Sequence, residues 1–297
     1  MNPLRMTRRR FLLATAAVAA SAWAWKKGLG GKAASAQGIS PVLGGESDVL
    51  RGSFVDVGDW RIHTLVSTLD LPPDAPNVVL VHGLGLSGQY MVPTAEALAP
   101  YYRVYVPDFP GFGDSSKPSR ALDVAGMADV LNAWMPAVGL ERAMLLGNSF
   151  GCQIIVELAA RHPERVERAV LQGPTTPPEE RSWIWQFIRW QQNGPNNPPR
   201  MEEIAGEDYE KAGLVRLFLT FQYSLNHAIE DRLPQIQAPM LVVRGTRDPI
   251  CRQDWAERVA QGLPDGRLVL LPDVAHTLVY TSPQELAAVS RPFFDEA

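Results

Sequence analysis

The chain is poor in several things. It has two cysteines, Cys152 and Cys251, in 297 residues, too few for a disulfide scaffold or a thiolate zinc site. It has five histidines, and none shares metal-ligand spacing with another histidine or an acid. No apolar run reaches the roughly 18 residues that span a bilayer core comfortably. Excess positive charge is missing too. The net charge is −4, and because the first 36 residues hold seven bases and no acid, the rest of the chain carries −11. So acidic a body has no electrostatic footprint for nucleic acid or an anionic membrane. What is present is a 46% apolar composition, enough to build a large core and too much for a disordered chain.

The N-terminus reads as an address. Arg8, Arg9 and Arg10 precede Phe11–Trp25, fifteen apolar and small residues closed by Lys26 and Lys27. Ala34-Ser35-Ala36 is an A-x-A signal that predicts cleavage before Gln37. The run Thr7–Leu13 resembles the bacterial twin-arginine export signal. That resemblance implies passage through the export machinery after folding, and a periplasmic or secreted protein. The alternative is an uncleaved anchor. The expected organisation is an export peptide over 1–36, a loose lead-in over 37–50, a core over 51–173 and 238–297, and a helical lid over 174–237.

In the mature chain, strand-like and helical runs alternate. Ser53–Val57 and Trp60–Val66 flank Gly58-Asp59 and read as a hairpin. Val78–His82, Arg103–Pro107, Ala143–Gly147, Arg168–Gln172, Met240–Arg244 and Arg267–Leu271 read as strands, with helices between them. This pattern predicts an α/β fold, a mostly parallel, doubly wound sheet covered on both faces. Gly173–Gln237 breaks the rhythm with Trp183, Trp185, Trp190, a Pro/Asn-rich stretch over 193–199 and a helical run Ala212–Ser224.

Three motifs carry chemistry. Gly147-Asn148-Ser149-Phe150-Gly151 fits G-x-S-x-G between an apolar strand and a helix. There a serine in a strained turn heads a helix, and the Phe150 amide points to where an oxyanion would form. A serine needs a base, and the base an orienting carboxylate. With this motif the chain resembles the α/β-hydrolase superfamily, over roughly residues 50 to 295. The resemblance implies Ser149 as nucleophile, Asp248 in Arg244–Pro249 as acid, and His276 in Asp273–His276 as base. Asp265 and Asp273 are rival acids. It also implies that the loop His82-Gly83-Leu84-Gly85 supplies the second oxyanion donor, the Leu84 amide, that His82 is structural, and that Asp108 ties down the oxyanion turn.

The same loop matches G-x-G-x-x-G (Gly83 to Gly88), with Asp108 about 20 residues on, nearly a dinucleotide fingerprint. The preceding histidine, the Pro-Gly-Phe-Gly turn after Asp108 and the unexplained Ser149, Asp248 and His276 count against that reading, so no cofactor is expected. His63 reads as surface or packing, His162 as a helix end, and His227 as a lid residue within possible reach of substrate. Cys152 and Cys251 are expected to be free thiols. The expected activity is ester hydrolysis through an acyl-enzyme on a small apolar substrate. Carbon–carbon bond hydrolysis, lactone opening and perhydrolysis are alternatives on the same triad; a binding protein that has lost catalysis is an alternative of another class. Trp183 and Trp190 share one helix face and Trp185 the opposite one, and the tryptophans are candidate lining of the substrate pocket.

Overall fold

The computed structural model describes residues 47–296. The export segment, the cleavage site and most of the lead-in lie outside the described residues. Two antiparallel strands open the chain, β1 (Leu50–Val57) and β2 (Trp60–Ser67), turning at Gly58 with a φ of +56°. There follow β3 (Asn77–Val81), α1 (Val92–Leu98), β4 (Arg103–Pro107), α2 (Val124–Ala137), β5 (Ala143–Asn148), α3 (Phe150–Arg161) and β6 (Val166–Gln172). Three helices come next: α4 (Trp183–Asn193), α5 (Pro199–Ala212) and α6 (Leu214–Asn226). The sheet resumes with β7 (Met240–Gly245), α7 (Gln253–Gly262) and β8 (Gly266–Leu271), and the chain closes with α8 (Leu278–Thr281) and α9 (Pro283–Phe294).

The eight strands lie in the order β1-β2-β4-β3-β5-β6-β7-β8. β2 pairs antiparallel with β4, and β3 to β8 are parallel. Alternation along the strands explains the two apolar layers. Val79, Val81, Leu145, Leu171 and Val242 face one layer with α2, α3 and α7. Val78, Leu80, Leu146, Val170 and Val243 face the other with α1 and α9. The doubly wound parallel sheet expected from the sequence is thus present, with strand positions shifted by at most two or three residues.

The segment between β6 and β7 differs more. Pro199–Ala212 is a helix that the reading from sequence left without structure, and the helical run expected from Ala212 begins instead at Leu214. Gly213, at φ +79°, separates the two helices, a conformation glycine adopts without the Cβ clash other residues meet.

Candidate active site

Parallel strands deliver their following loops to one edge of the sheet, where such folds place their sites. Six loops meet here, after β3, β4, β5, β6, β7 and β8.

Ser149 stands between β5 and α3 at φ +56° and ψ −115°. That left-handed conformation costs a non-glycine residue of order 1–3 kcal/mol. It persists because the turn is held on both sides: Ser149 N donates to Gln172 O at 2.9 Å, and Cys152 N donates to Ser149 O at 3.0 Å. The flanking glycines permit the close packing. A Cβ on Gly151 would overlap Val81 O, and one on Gly147 would sit 2.9 Å from the Gly151 carbonyl carbon.

Asp248 and His276 are brought together. His276 Nδ1 lies 2.7 Å from Asp248 Oδ2, and both side chains are buried. Asp248 Oδ1 accepts from Ile250 N at 2.7 Å and Cys251 N at 2.9 Å. His276 Nε2 is buried and has no hydrogen-bond partner among the described residues. The rivals stand elsewhere. Asp265 O accepts from Met240 N, at the opposite end of β7. Asp273 is exposed, and its amide donates to Thr246 Oγ1 at 2.9 Å.

The end of β6 brings the two halves together, which reasoning from sequence missed. Gln172 receives Ser149 N on its carbonyl, donates from Nε2 to His276 O at 3.0 Å, and accepts from Asn148 Nδ2 at 2.5 Å. Next to it, Gly173 at φ +59° lies so close to the pair that a Cβ would fall 2.9 Å from His276 Cε1 and 3.2 Å from Asp248 Oδ2. Arg244 was missed as well. Buried at the end of β7, it donates to Cys251 O at 2.6 Å and Asp248 O at 2.9 Å, closing the acid loop from inside. A charged residue ending an apolar strand was the available signal.

The loop after β3 packs on the head of α3, and a Cβ on Gly83 would meet Asn148 Oδ1 at 2.9 Å. The loop that carries Leu84 therefore lies beside the strand end that leads into Ser149 and Phe150. The His82 ring spans this loop and the next: Nδ1 donates to Gly83 O at 2.9 Å, and Phe109 N donates to Nε2 at 3.1 Å. Burial holds the His82 pKa below its usual value, which suits a neutral ring with one donor and one acceptor. Asp108 accepts from Gly88 N at 2.6 Å and Asp114 N at 2.9 Å, and meets His63 Nδ1 at 2.9 Å. Its carboxylate is committed within the loop, which leaves the glycine-rich stretch without the acid a dinucleotide ribose would need.

His63 is thus an ion-pair partner, its pKa raised by the Asp108 hydrogen bond. Local spacing showed no metal cluster, yet the fold gathers His63, Asp108 and Asp114 to within 4.8 Å. Asp114 is already bridged by Lys211 Nζ at 2.8 Å, so one of the two carboxylates has a cation partner from the chain itself. His227 faces away from the site and meets Glu157 at 3.0 Å. Cys152 and Cys251 are buried free thiols, and burial drives both pKa values well up, so neither is a ready thiolate.

The three tryptophans sit as the 3.6-residue period requires, with Trp183 and Trp190 half-buried and Trp185 47% exposed. Trp183 stacks on Phe218 at 4.7 Å, meets Phe221 at 4.4 Å and donates to Gln222 at 2.9 Å. Trp190 meets Phe187, and Arg189 lies over Trp185. These partners all belong to the helical segment itself. Tyr209 and Leu217, from α5 and α6, instead reach the loop after β3, where a Cβ on Gly85 would meet them at 2.8 and 2.7 Å. Beside them Asp208 packs against Ser87, and burial pushes its pKa up to about 7.

Residues 76–198 match the family model described as alpha/beta hydrolase fold, and residues 220–291 one described as TAP-like protein. The chain has the α/β-hydrolase fold. It is 27% identical over 252 residues to a carboxylesterase of Bacillus subtilis, covering 78% of this chain and 83% of that protein. A probable 1-acylglycerol-3-phosphate O-acyltransferase of rice is 37% identical over 112 residues, which is 36% of this chain. The chain spans only 27% of the length of that relative. Among solved structures, a membrane phospholipase A described as a bacterial virulence factor superposes with a TM-score of 0.71 at 25% identity, covering 95% of this chain and 91% of that one. The fold and the carboxylesterase relative support a hydrolase on this fold.

Proposed function

We propose that this α/β-hydrolase is a carboxylic ester hydrolase working through an acyl-enzyme on Ser149. The observation that carries the reading is the buried Asp248–His276 pair at 2.7 Å, held by Gln172 and Gly173 beside the strained Ser149 turn. Ser149 Oγ attacks the ester carbonyl carbon while His276 Nε2 takes its proton. Asp248 keeps the proton on Nδ1 and stabilises the imidazolium. The amides of Leu84 and Phe150 receive the oxyanion, each worth about 10²–10³ in rate where such donors have been removed. The alcohol leaves with the imidazolium proton. Water then attacks the acyl-enzyme, His276 acts again as base, and the carboxylate is released.

The segment 174–237 is the lid in this reading. Its wall toward the oxyanion loop is Tyr209 and Leu217, and Trp183 supports that wall from behind through Phe218. The substrate is a small apolar ester. An acyl-length series of aryl esters tests this. Tyr209→Ala and Leu217→Ala raise KM for long or aromatic acyl groups about tenfold while leaving an acetate ester within about twofold. Equal loss at every chain length would contradict the assignment.

We also infer that residues 1–36 direct twin-arginine export and that the protein acts in the periplasm or beyond the cell. N-terminal sequencing of the exported form is expected to begin at Gln37. Membrane-retained protein that keeps residues 11–25 would contradict this and favour the anchor.

A further inference from the structure

The helix α4 exposes an apolar residue at its start and buries a polar one at its end. Ile184 is left 73% exposed while the Asn193 amide is only 2% exposed. Burying an amide and leaving an isoleucine in water is unfavourable unless the amide is held by its bonds. Asn193 is so held. Its Oδ1 accepts from His276 N at 3.2 Å, and its Nδ2 donates to Asn197 Oδ1 at 3.1 Å. Asn197 Oδ1 also accepts from Thr277 Oγ1 at 3.1 Å. Asn196 Nδ2 donates to Asn193 O at 3.2 Å, and Asn196 Oδ1 accepts from Arg247, the residue before Asp248, at 3.3 Å. One turn of the lid, Asn193–Asn197, thus grips the loop that carries the imidazole and the loop that carries its carboxylate.

We propose that Asn193 is a positioning residue for the base, and that the turn Asn193–Asn197 is a clasp through which the seating of the lid sets where His276 stands. The proposal rests on the acyl-enzyme reading above. Its physical basis is the way His276 is held. Leu278 begins α8, but 272–277 is irregular chain with no helix or strand to fix it. The neighbours of His276 are tied at Asp273, Val274 and Thr277, and three bonds hold His276 itself. The sheet holds the His276 carbonyl through Gln172, Asp248 holds the ring at Nδ1, and the lid holds the amide through Asn193. The first two come from the core. The third alone depends on the lid, so a lid that lifts releases one restraint on the ring while leaving the acid–base pair intact. Because Nε2 must meet a serine proton within hydrogen-bond reach, a shift of about 1 Å in the ring costs about 10²-fold in rate.

The test compares full-length wild type with Asn193→Ala, and with Thr277→Val, which removes the other donor at nearly constant volume. The readouts are kcat and KM on a short acetate ester, the rate and final extent of labelling by a fluorophosphonate, and Tm. Asn193→Ala is expected to lower kcat and the labelling rate together by about 10–100-fold, with KM within about twofold and labelling still complete. Thr277→Val is expected to give the same pattern at about 3–10-fold. Glu230→Gln serves as the control for general loosening, since it removes the Arg181–Glu230 ion pair of the lid without touching the clasp. It is expected to lower Tm and leave kcat unchanged. If Asn193→Ala lowers Tm but leaves kcat and labelling at the wild-type rate, the clasp is only packing and the proposal falls. It also falls if Glu230→Gln reproduces the kcat loss at an equal change in Tm. Wild type that does not label at all overturns the acyl-enzyme reading itself.

Discussion

Ser149→Ala is expected to lower ester turnover by about 10⁴–10⁶-fold, the scale seen when a catalytic serine is removed from a triad enzyme, with Tm within a degree or two of wild type. The two halves of that expectation have separate causes. The loss follows because the lone buried Nε2 of His276 then has no hydroxyl to activate, and water held in the site by no other group is a poor substitute. The unchanged stability follows because the turn at φ +56° is held by backbone bonds, to Gln172 O and from Cys152 N. Alanine carries the same Cβ as serine and meets the same strain there. Steady-state kinetics on an aryl acetate and thermal unfolding by circular dichroism read the two halves. Turnover within tenfold of wild type would remove Ser149 from the mechanism.

Asp248→Asn is expected to lower kcat by about 10⁴-fold, as an acid-to-amide change does in a triad, and the reason is visible in the acid loop. Oδ1 accepts from two backbone amides, Ile250 N and Cys251 N. In asparagine only the carbonyl oxygen can take that place, so the amide nitrogen is turned toward His276 Nδ1. A donor facing Nδ1 makes it an acceptor and moves the ring proton to Nε2, where a base for Ser149 is needed. The pair is closely bounded on that side, since a Cβ on Gly173 would stand 3.2 Å from Asp248 Oδ2 and 2.9 Å from His276 Cε1. Asp273→Asn is expected to change kcat less than threefold, because Asp273 is exposed and its recorded bond is through its backbone amide. Kinetics of both variants at pH 7 to 9 check this. A large loss from Asp273→Asn and none from Asp248→Asn would reverse the assignment of the acid.

Contiguity decided which parts of this site could be read from the sequence. G-x-S-x-G carries its own context, an apolar strand before and a helix after, so the turn at Ser149 was legible residue by residue. The order of β units likewise placed the Asp248 and His276 loops at the ends of β7 and β8. The contacts that hold these loops together have no such signature. Gln172 reaches His276 across 104 residues, and Asn193 reaches it across 83; side-chain amides that bond backbone leave no period and no spacing. His63 and Asp108 look unrelated in sequence because antiparallel pairing of β2 with β4 is what joins them. The helix Pro199–Ala212 was obscured by the Pro/Asn stretch before it, by Gly206 within it and by its few apolar residues. That helix delivers Tyr209, so the residue that meets the loop after β3 was hidden, while the conspicuous tryptophans of α4 pack largely within 174–237.

The most direct test of the central claim is covalent. Purified protein is treated with a fluorophosphonate, and the modified peptide is mapped by mass spectrometry. The account predicts one phosphonyl group per chain, on Ser149 in the peptide containing Gly147–Gly151, with no labelling of Ser149→Ala and slow labelling of His276→Ala. Stoichiometric labelling at another residue, or none in active wild-type protein, would contradict it.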